Sequence, residues 1–218
     1  MRWQGKYLIW PVWLVFVGYS ILFAPATDAN TGALVMAILQ GKFQEINWVV
    51  ITLFNLMGVW PLIFMVIFGI ESKTQRIPAW PFIIGSFFLG AFVLMPYFGL
   101  RNLPSATEKG IPYKGIVKSL DGRILPVILL VVTIGLVLMA VIAGDWADYA
   151  TQFQKNGFVH VMSLDFLMFT ALFPIALKED LIRRNWFDRK KWILFSIIPL
   201  FGACSYLIAA PRLSSPTQ

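Results

Sequence analysis

Residues 47–70, NWVVITLFNLMGVWPLIFMVIFGI, form a run of 24 residues that contains no Asp, Glu, Lys, Arg or His. A helix needs about 20 apolar residues to cross the hydrocarbon core of a bilayer, so this run is long enough to span one. The run is apolar on every face, whereas the strands of a membrane barrel alternate apolar and polar residues. It therefore predicts a transmembrane helix.

Five more apolar runs of 18–22 residues contain no Asp, Glu, Lys, Arg or His apart from His160 and Asp165, giving six predicted spans: residues 7–24, 47–70, 79–100, 124–144, 158–177 and 192–210. Of the 218 residues, 58% are hydrophobic and 13% are charged, against about 25% charged in soluble domains. We therefore expect an all-α polytopic membrane helix bundle without a soluble domain. Residues 31–40 are apolar but too short to cross, which predicts an interfacial or re-entrant helix.

The first span has two interpretations. Arg2 and Lys6, followed by an apolar run and Ala24-Pro25-Ala26, are also typical of a signal peptide with its cleavage site. We favour a retained helix, because the run is longer than the apolar part of most signal peptides.

Basic residues predict the orientation of the bundle, because Lys and Arg in short loops stay on the cytoplasmic side. With six spans, the loops on one face hold 12 of the 18 Lys and Arg residues, most of them in 101–123 and 178–191. These two segments are expected to face the cytoplasm or stroma, and both termini the opposite side. We expect seven cations there to dock anionic lipid headgroups or a partner: Arg183, Arg184, Arg189, Lys190, Lys191, Lys114 and Lys118. Alternatively, Lys178-Glu179-Asp180 forms a salt-bridged helix end with Arg183-Arg184 and Asp188-Arg189. Nucleic-acid binding is not expected, since no soluble domain carries the net charge of +7.

The order of features along the chain occurs twice. Asn55 and Asp165 each lie twelve residues after the Phe of a Phe-Gln pair, and a Trp opens the third span of each half with Gly-Ala ten residues later. A unit of three spans crosses an odd number of times, so a second copy would be inverted. This predicts two inverted three-helix repeats with halves 1–101 and 114–213; chance similarity between apolar helices is the alternative.

Asp165 is the most informative single position, because it lies about two turns inside the fifth span. A carboxylate in hydrocarbon costs at least a few kcal/mol unless it is paired, protonated or hydrated. No side chain on its own helix is well placed to pair with it, so we expect a partner from another helix. Together with Asn55 it predicts a midmembrane site for a cation or polar solute. Alternatively, the two residues form a hydrogen bond that joins packed helices.

His160, near the non-cytoplasmic end of the same span, is a candidate chlorophyll ligand or proton relay, or a simple hydrogen-bonding residue. One His and one Cys exclude a Cys-based zinc site and a haem held by two histidines of one chain. No phosphate-binding loop, HExxH or GxSxG motif is present. We therefore predict no catalytic residue, no metal site and no enzymatic activity. No cofactor is predicted, although a bound chlorophyll or carotenoid is compatible with the sequence.

Three segments resemble a group of polytopic membrane proteins of cyanobacteria and plant chloroplasts: NWVVITLFNLMGVWPLIFMVIF, RIPAWPFIIGSFFLGAFVLMPYFGLR and SLDFLMFTALFPIALKEDLIRRNW. The resemblance covers roughly residues 43–101 and 158–186 and rests on the overall pattern and on Asn55, Pro61, Trp80, Pro81, Pro96, Arg101, Asp165 and Arg184. It implies a thylakoid or plasma membrane of a phototroph, with photosynthetic complex subunits as partners.

Two functions follow from these expectations. The first is a non-enzymatic integral membrane protein that assists, stabilises or joins a photosynthetic complex. The alternative is a small ion or polar-solute transporter with a site at Asp165 and Asn55.

Overall fold

The computed structural model describes residues 6–26, 31–44, 46–71, 77–101 and 121–212. Within these ranges the chain is a bundle of ten α-helices without a strand. In chain order they are α1 (Lys6–Leu22), α2 (Thr31–Leu39), α3 (Trp48–Glu71), α4 (Trp80–Leu89), α5 (Ala91–Leu100), α6 (Ile124–Ala143), α7 (Trp146–Lys155), α8 (Gly157–Arg183), α9 (Arg189–Ile197) and α10 (Phe201–Ala209). The all-α prediction is confirmed.

Three helices of the described residues are long and apolar enough to cross a membrane, namely α3, α6 and α8. Helix α1 is slightly shorter, with 17 residues. The expected continuous helices over 79–100 and 192–210 are wrong, because each run is divided into two short helices, α4 with α5 and α9 with α10.

Helices α4 and α5 fold back on each other at Gly90. The rings of Phe82 and Tyr97 lie 5.3 Å apart, whereas 15 residues of continuous helix would separate them by about 22 Å. Gly90 has φ of 58° and ψ of −143°, a conformation that glycine adopts without the steric cost that a Cβ brings. The run 79–100 is therefore a helical hairpin with Gly90 at its tip.

Helices α9 and α10 form a second hairpin. The rings of Phe195 and Tyr206 lie 5.7 Å apart, where a continuous helix would place them about 16 Å apart. Pro199 has no N–H with which to continue the helix, and Leu200 has a positive φ of 61°. The N–H of Cys204 then donates to the carbonyl of Leu200, starting α10.

The contacts between helix ends define two ends of the bundle. At the first, called the Arg184 end, Arg184 at the end of α8 bonds Asp121 ahead of α6 and the carbonyl of Pro211 after α10. At the other, called the Asn47 end, Asn47 ahead of α3 bonds the carbonyl of Asp145, after α6. Residue 211 therefore lies at the same end as 178–191, and the expected placement of the C-terminal tail on the opposite side is wrong.

Helix α1 also begins at the Arg184 end. Trp10 packs against Gly99 near the end of α5, and Tyr19, a few turns later, bonds His160 at the start of α8. Helix α1 thus runs from the Arg184 end to the Asn47 end, as α6 does. The expectation that the N-terminal side lies opposite to residues 101 and 121 is therefore also wrong.

Helix lengths repeat along the chain. They are 17, 9, 24, 10 and 10 residues for α1 to α5, and 20, 10, 27, 9 and 9 residues for α6 to α10. Helix α1 packs on α5 as α6 packs on α10, and α3 on α4 as α8 on α9. Both sets start at the Arg184 end, so a duplicated unit would be parallel. The predicted inversion is wrong because the third element of each set folds back.

The centre of the bundle between α3, α5 and α8 is aromatic. Trp60 is fully buried, with its ring 5.8 Å from that of Phe64 and 5.7 Å from that of Phe173. Phe68 and Phe98 pack edge to face at 5.1 Å. Aromatic pairs at these spacings are favourable beyond the area they bury, so the core fixes α5 and its hairpin against α3 and α8.

Candidate functional site

Asp165 in α8 lies against the tip of the first hairpin. Its Oδ1 accepts a hydrogen bond of 2.8 Å from the backbone N–H of Ala91, the first residue of α5. The first N–H groups of a helix have no acceptor within that helix, so Asp165 caps α5 from a different helix. The expectation that its partner comes from another helix is confirmed, and that partner is a backbone group.

Gly90 provides the space for this cap. A Cβ atom on residue 90 would overlap Oδ2 of Asp165, and the positive φ of Gly90 disfavours any other residue there. The partial positive charge of a helix N-terminus favours a neighbouring carboxylate. Asp165 is 4% exposed, so the cap is a buried contact between the hairpin tip and α8.

Asn55 is not paired with Asp165. Its Nδ2 donates to the carbonyl of Ile51, one turn earlier in α3, at 2.8 Å. Asn55 is exposed on the side of the bundle, whereas Asp165 is buried. A side-chain amide satisfied by its own helix needs no partner elsewhere, and the structure therefore does not bring these two predicted site residues together.

His160 joins three elements at the Asn47 end. Its Nδ1 lies 2.8 Å from the carbonyl oxygen of Phe153, and its Nε2 lies 3.0 Å from the hydroxyl of Tyr19. A carbonyl can only accept, so Nδ1 carries a proton and donates to it, and in the neutral imidazole Nε2 accepts from the hydroxyl of Tyr19. The ring also stacks on Phe153 at 4.4 Å. Both ring nitrogens are thus engaged, which matches the hydrogen-bonding interpretation; a metal at Nε2 would have to displace Tyr19.

A buried ionic cluster lies at the Arg184 end. Asp180, which is fully buried, accepts from Nη1 of Arg183 at 2.9 Å and from Nε of Arg184 at 2.8 Å. The hydroxyl of Tyr206 donates to the same carboxylate at 2.7 Å. Nη1 of Arg184 reaches Asp121 at 2.8 Å. Burial opposes the charge of Arg184, but Asp180 and Asp121 outweigh it and hold the guanidinium pKa above its usual range.

Of the seven predicted docking cations, Arg184 is therefore buried in the bundle and Arg183 is mostly covered by it. The side chain of Arg184 is 2% exposed and that of Arg183 is 10% exposed, and Arg183 also donates to the carbonyl of Ile67. Their assignment to a docking surface was wrong, because residues three and four positions after Asp180 face it on the same helix. The alternative, a salt-bridged helix end, is confirmed for these two residues.

A second ion pair joins Arg101, at the end of α5, to Glu179 in α8. The guanidinium carbon lies 4.7 Å and 4.6 Å from the ring centres of Phe68 and Phe98, a geometry that stabilises a cation over aromatic faces. Sequence reasoning placed Arg101 in a basic loop and missed this pair. The sequence feature that could have predicted this pair is an Arg directly after one apolar run and a Glu-Asp pair two residues after the end of another.

The remaining docking cations differ in position. Arg189 and Lys190 are exposed at the start of α9. Nζ of Lys191 lies 4.2 Å above the ring of Trp186. Lys114 and Lys118 lie outside the described residues.

Two of the cavities on the surface of the described residues lie on the side of the bundle near the Asn47 end. One of about 450 Å³ lies at the Asn47 end, where Nδ2 of Asn47 donates to Asp148 at 2.7 Å. The other, of about 340 Å³, lies between α3, α6, α7 and α8 and has mostly apolar walls. Neither is lined by Asp165 or by the ionic cluster.

No family model, curated protein or solved structure matches the chain. In the described part of the chain, no three His, Cys, Asp or Glu side chains are grouped as a metal site would require. Function is therefore inferred from the geometry of the bundle.

Proposed function

We propose that the chain is a non-enzymatic integral membrane protein that assists, stabilises or joins a photosynthetic membrane complex. The observation that carries this proposal is the use of Asp165 as a buried helix cap. A carrier must bind and release its solute with exposed polar groups, whereas this carboxyl and the ionic cluster are engaged inside the bundle. What remains for function is the outer surface and the loops.

The proposed topology has four crossing helices, α1, α3, α6 and α8, and two re-entrant hairpins. Both hairpins enter and leave at the Arg184 end. Irregular backbone is tolerated at membrane depth only where protein or water covers it, and the two tip residues, Gly90 and Leu200, are buried. Large apolar side chains cover the outside of the bundle, including Leu14, Phe88, Ile142 and Ile197.

The distribution of basic residues supports this topology. This topology assigns the segments that contain Lys42 and Lys155 to the Asn47 end, and it assigns the segments that contain the other 16 of the 18 Lys and Arg residues to the Arg184 end. Short loops rich in Lys and Arg stay in the cytoplasm, so we place the Arg184 end on the cytoplasmic or stromal side. The six-span arrangement puts 12 of these 18 residues on one side of the membrane and 6 on the other, which is a weaker asymmetry.

The test of this function is co-migration. Membranes of the phototroph that contains the protein are solubilised in gentle detergent, and the chain is followed on native gels and by its co-purifying subunits. We expect it to migrate with a pigmented complex. Migration alone, together with unchanged complex levels in a deletion strain, would contradict the proposal.

A small ion or polar-solute carrier is the second candidate, and the paired hairpins favour it. Interrupted helices at corresponding positions of two halves are the best pointer to a transport site in membrane proteins, and one tip rests on Asp165. Asp165→Asn separates the candidates. Loss of solute flux in proteoliposomes together with normal complex assembly in membranes supports the carrier and contradicts the first proposal. Unchanged flux contradicts the carrier.

A further inference from the structure

We infer that the outer face of α9 binds one anionic phospholipid of the cytoplasmic leaflet, with the headgroup at Arg189 and Lys190 and an acyl chain along the aliphatic residues that follow. This inference rests on the membrane placement proposed above. The outer face of α9 belongs to the second hairpin and is exposed, because the described residues do not pack over it.

The headgroup end is a set of cations without carboxylate partners among the described residues. Arg189 and Lys190 are both exposed and form no ion pair there, and Lys191 contacts the ring of Trp186. Asp188, the acidic residue next to them in sequence, serves as the N-cap, and its Oδ1 accepts from the N–H of Lys190 at 2.6 Å. Cations at a helix N-terminus are unfavourable towards the helix dipole, so a bound anion would relieve a local excess of positive charge.

The apolar end is continuous with these cations on one helix face. Lys190, Ile193, Leu194 and Ile197 follow the spacing i, i+3, i+4 and i+7, which places them in one stripe. Ile193, Leu194 and Ile197 are 42%, 64% and 66% exposed. A pair of cations directly followed by an aliphatic stripe complements a phospholipid, which has an anionic headgroup and an apolar chain. An acidic protein surface would pair with the cations but leave the stripe uncovered.

The length of the stripe fits a single leaflet. Nine residues of α9 extend about 13 Å at 1.5 Å per residue, and half of a hydrocarbon core of roughly 30 Å is about 15 Å. The hairpin turns at 198–200, so the stripe ends where an acyl chain from the cytoplasmic leaflet would also end.

The test compares retained lipid in native mass spectra of the full chain, titrated with phosphatidylglycerol or phosphatidylcholine. Arg189→Gln with Lys190→Gln removes the headgroup contacts, and Lys42→Gln with Lys155→Gln removes two exposed cations elsewhere as a matched control. At about a few-fold per basic residue, the first pair should weaken phosphatidylglycerol binding roughly tenfold or more. The control pair should leave it unchanged, and phosphatidylcholine binding should be weak in every variant.

Two further measurements distinguish a bound phospholipid from free phosphate. Leu194→Asn should weaken phosphatidylglycerol binding, because the chain contacts are lost, and millimolar inorganic phosphate should not displace the lipid. Equal phosphatidylglycerol binding in wild type and the Arg189, Lys190 variant overturns the inference, as does displacement by phosphate. Carbonate extraction keeps the two proposals separable: release of the chain from membranes contradicts the membrane placement, whereas an integral chain without this lipid preference contradicts the lipid site alone.

Discussion

Oδ1 of Asp165 lies 2.8 Å from the backbone nitrogen of Ala91, which makes a carboxyl of α8 the cap of a helix that begins inside the bundle. The charge-free run 79–100 turns back at Gly90, and the apolar part of α8, residues 158–177, contains one carboxyl, Asp165. Each accounts for the other, because the hairpin tip supplies the hydrogen bond that the acid needs, and the acid satisfies an N–H that the tip exposes.

Gly90→Ala should lower the thermal stability of the purified protein. The new Cβ would overlap Asp165 and would hold a non-glycine residue at positive φ, which costs about 1–2 kcal/mol for the backbone alone. Gly135→Ala in α6 is the matched control, since nothing lies within 4 Å of its Cβ position. We expect the control to be neutral or slightly stabilised in a thermal melt. Equal melting temperatures for both variants would show that the tip is not packed on Asp165.

Asp165→Leu should destabilise the chain by about 1–2 kcal/mol, the usual cost of losing a helix cap. Asp165→Asn keeps an oxygen that can accept from Ala91 and should lose less. The measurement is hydrogen exchange of the amides at the start of α5, which should speed up in the Leu variant. Faster exchange throughout α8 with an unchanged hairpin would point to a different role for the carboxyl.

Arg184→Gln should be the most destabilising of these changes. It leaves the fully buried Asp180 with one charged partner fewer, and breaking a buried ion pair costs about 3–5 kcal/mol. Arg189→Gln, five residues later and exposed, should change stability by less than about 0.5 kcal/mol. Thermal melts of the two variants in the same detergent provide the comparison. Similar melts would mean that Arg184 is not buried.

His160→Phe and Tyr19→Phe should be coupled. Each removes one side of the 3.0 Å contact between Nε2 and the Tyr19 hydroxyl, and a hydrogen bond of this kind contributes about 1 kcal/mol. In a double-mutant cycle the two losses should not add. If His160 instead ligates a pigment, His160→Phe alone removes bound pigment, and Tyr19→Phe leaves the pigment in place.

The apolar helices could be predicted from the sequence, but the folding back of two apolar runs could not, and α7 (Trp146–Lys155) was not predicted. Apolar composition located all six runs, because burial in lipid or in protein requires the same side chains. A hairpin of two ten-residue helices has the composition and length of one crossing helix, so 79–100 and 192–210 were predicted to be continuous. Gly90 and Pro199 mark the turns. Glycine and proline also occur within continuous membrane helices, so neither residue alone predicts a turn.

The candidate site was predicted in part. A buried acid must find a partner, so Asp165 could be identified from its position alone. Its partner could not, because a backbone N–H becomes a free donor only where a helix starts, and the start at Ala91 depends on the fold. The ion pairs of Arg101 with Glu179 and of Arg184 with Asp121 were missed, because these residues are distant in sequence. The pairs of Asp180 with Arg183 and Arg184, three and four residues apart, belong to the salt-bridged helix end that was one of the two interpretations of this segment.

The most direct test of the central claim is the side of the membrane on which residue 212 lies. In a Cys204→Ser background, Asp188→Cys, Arg212→Cys and Lys155→Cys, each at an exposed position, are labelled in sealed vesicles with a membrane-impermeant maleimide. Two re-entrant hairpins predict that positions 188 and 212 react from the same side and position 155 from the other. Reaction of position 212 from the side of position 155 would contradict the fold-back of α9 and α10, and it would support the original prediction that residues 192–210 cross the membrane as one helix.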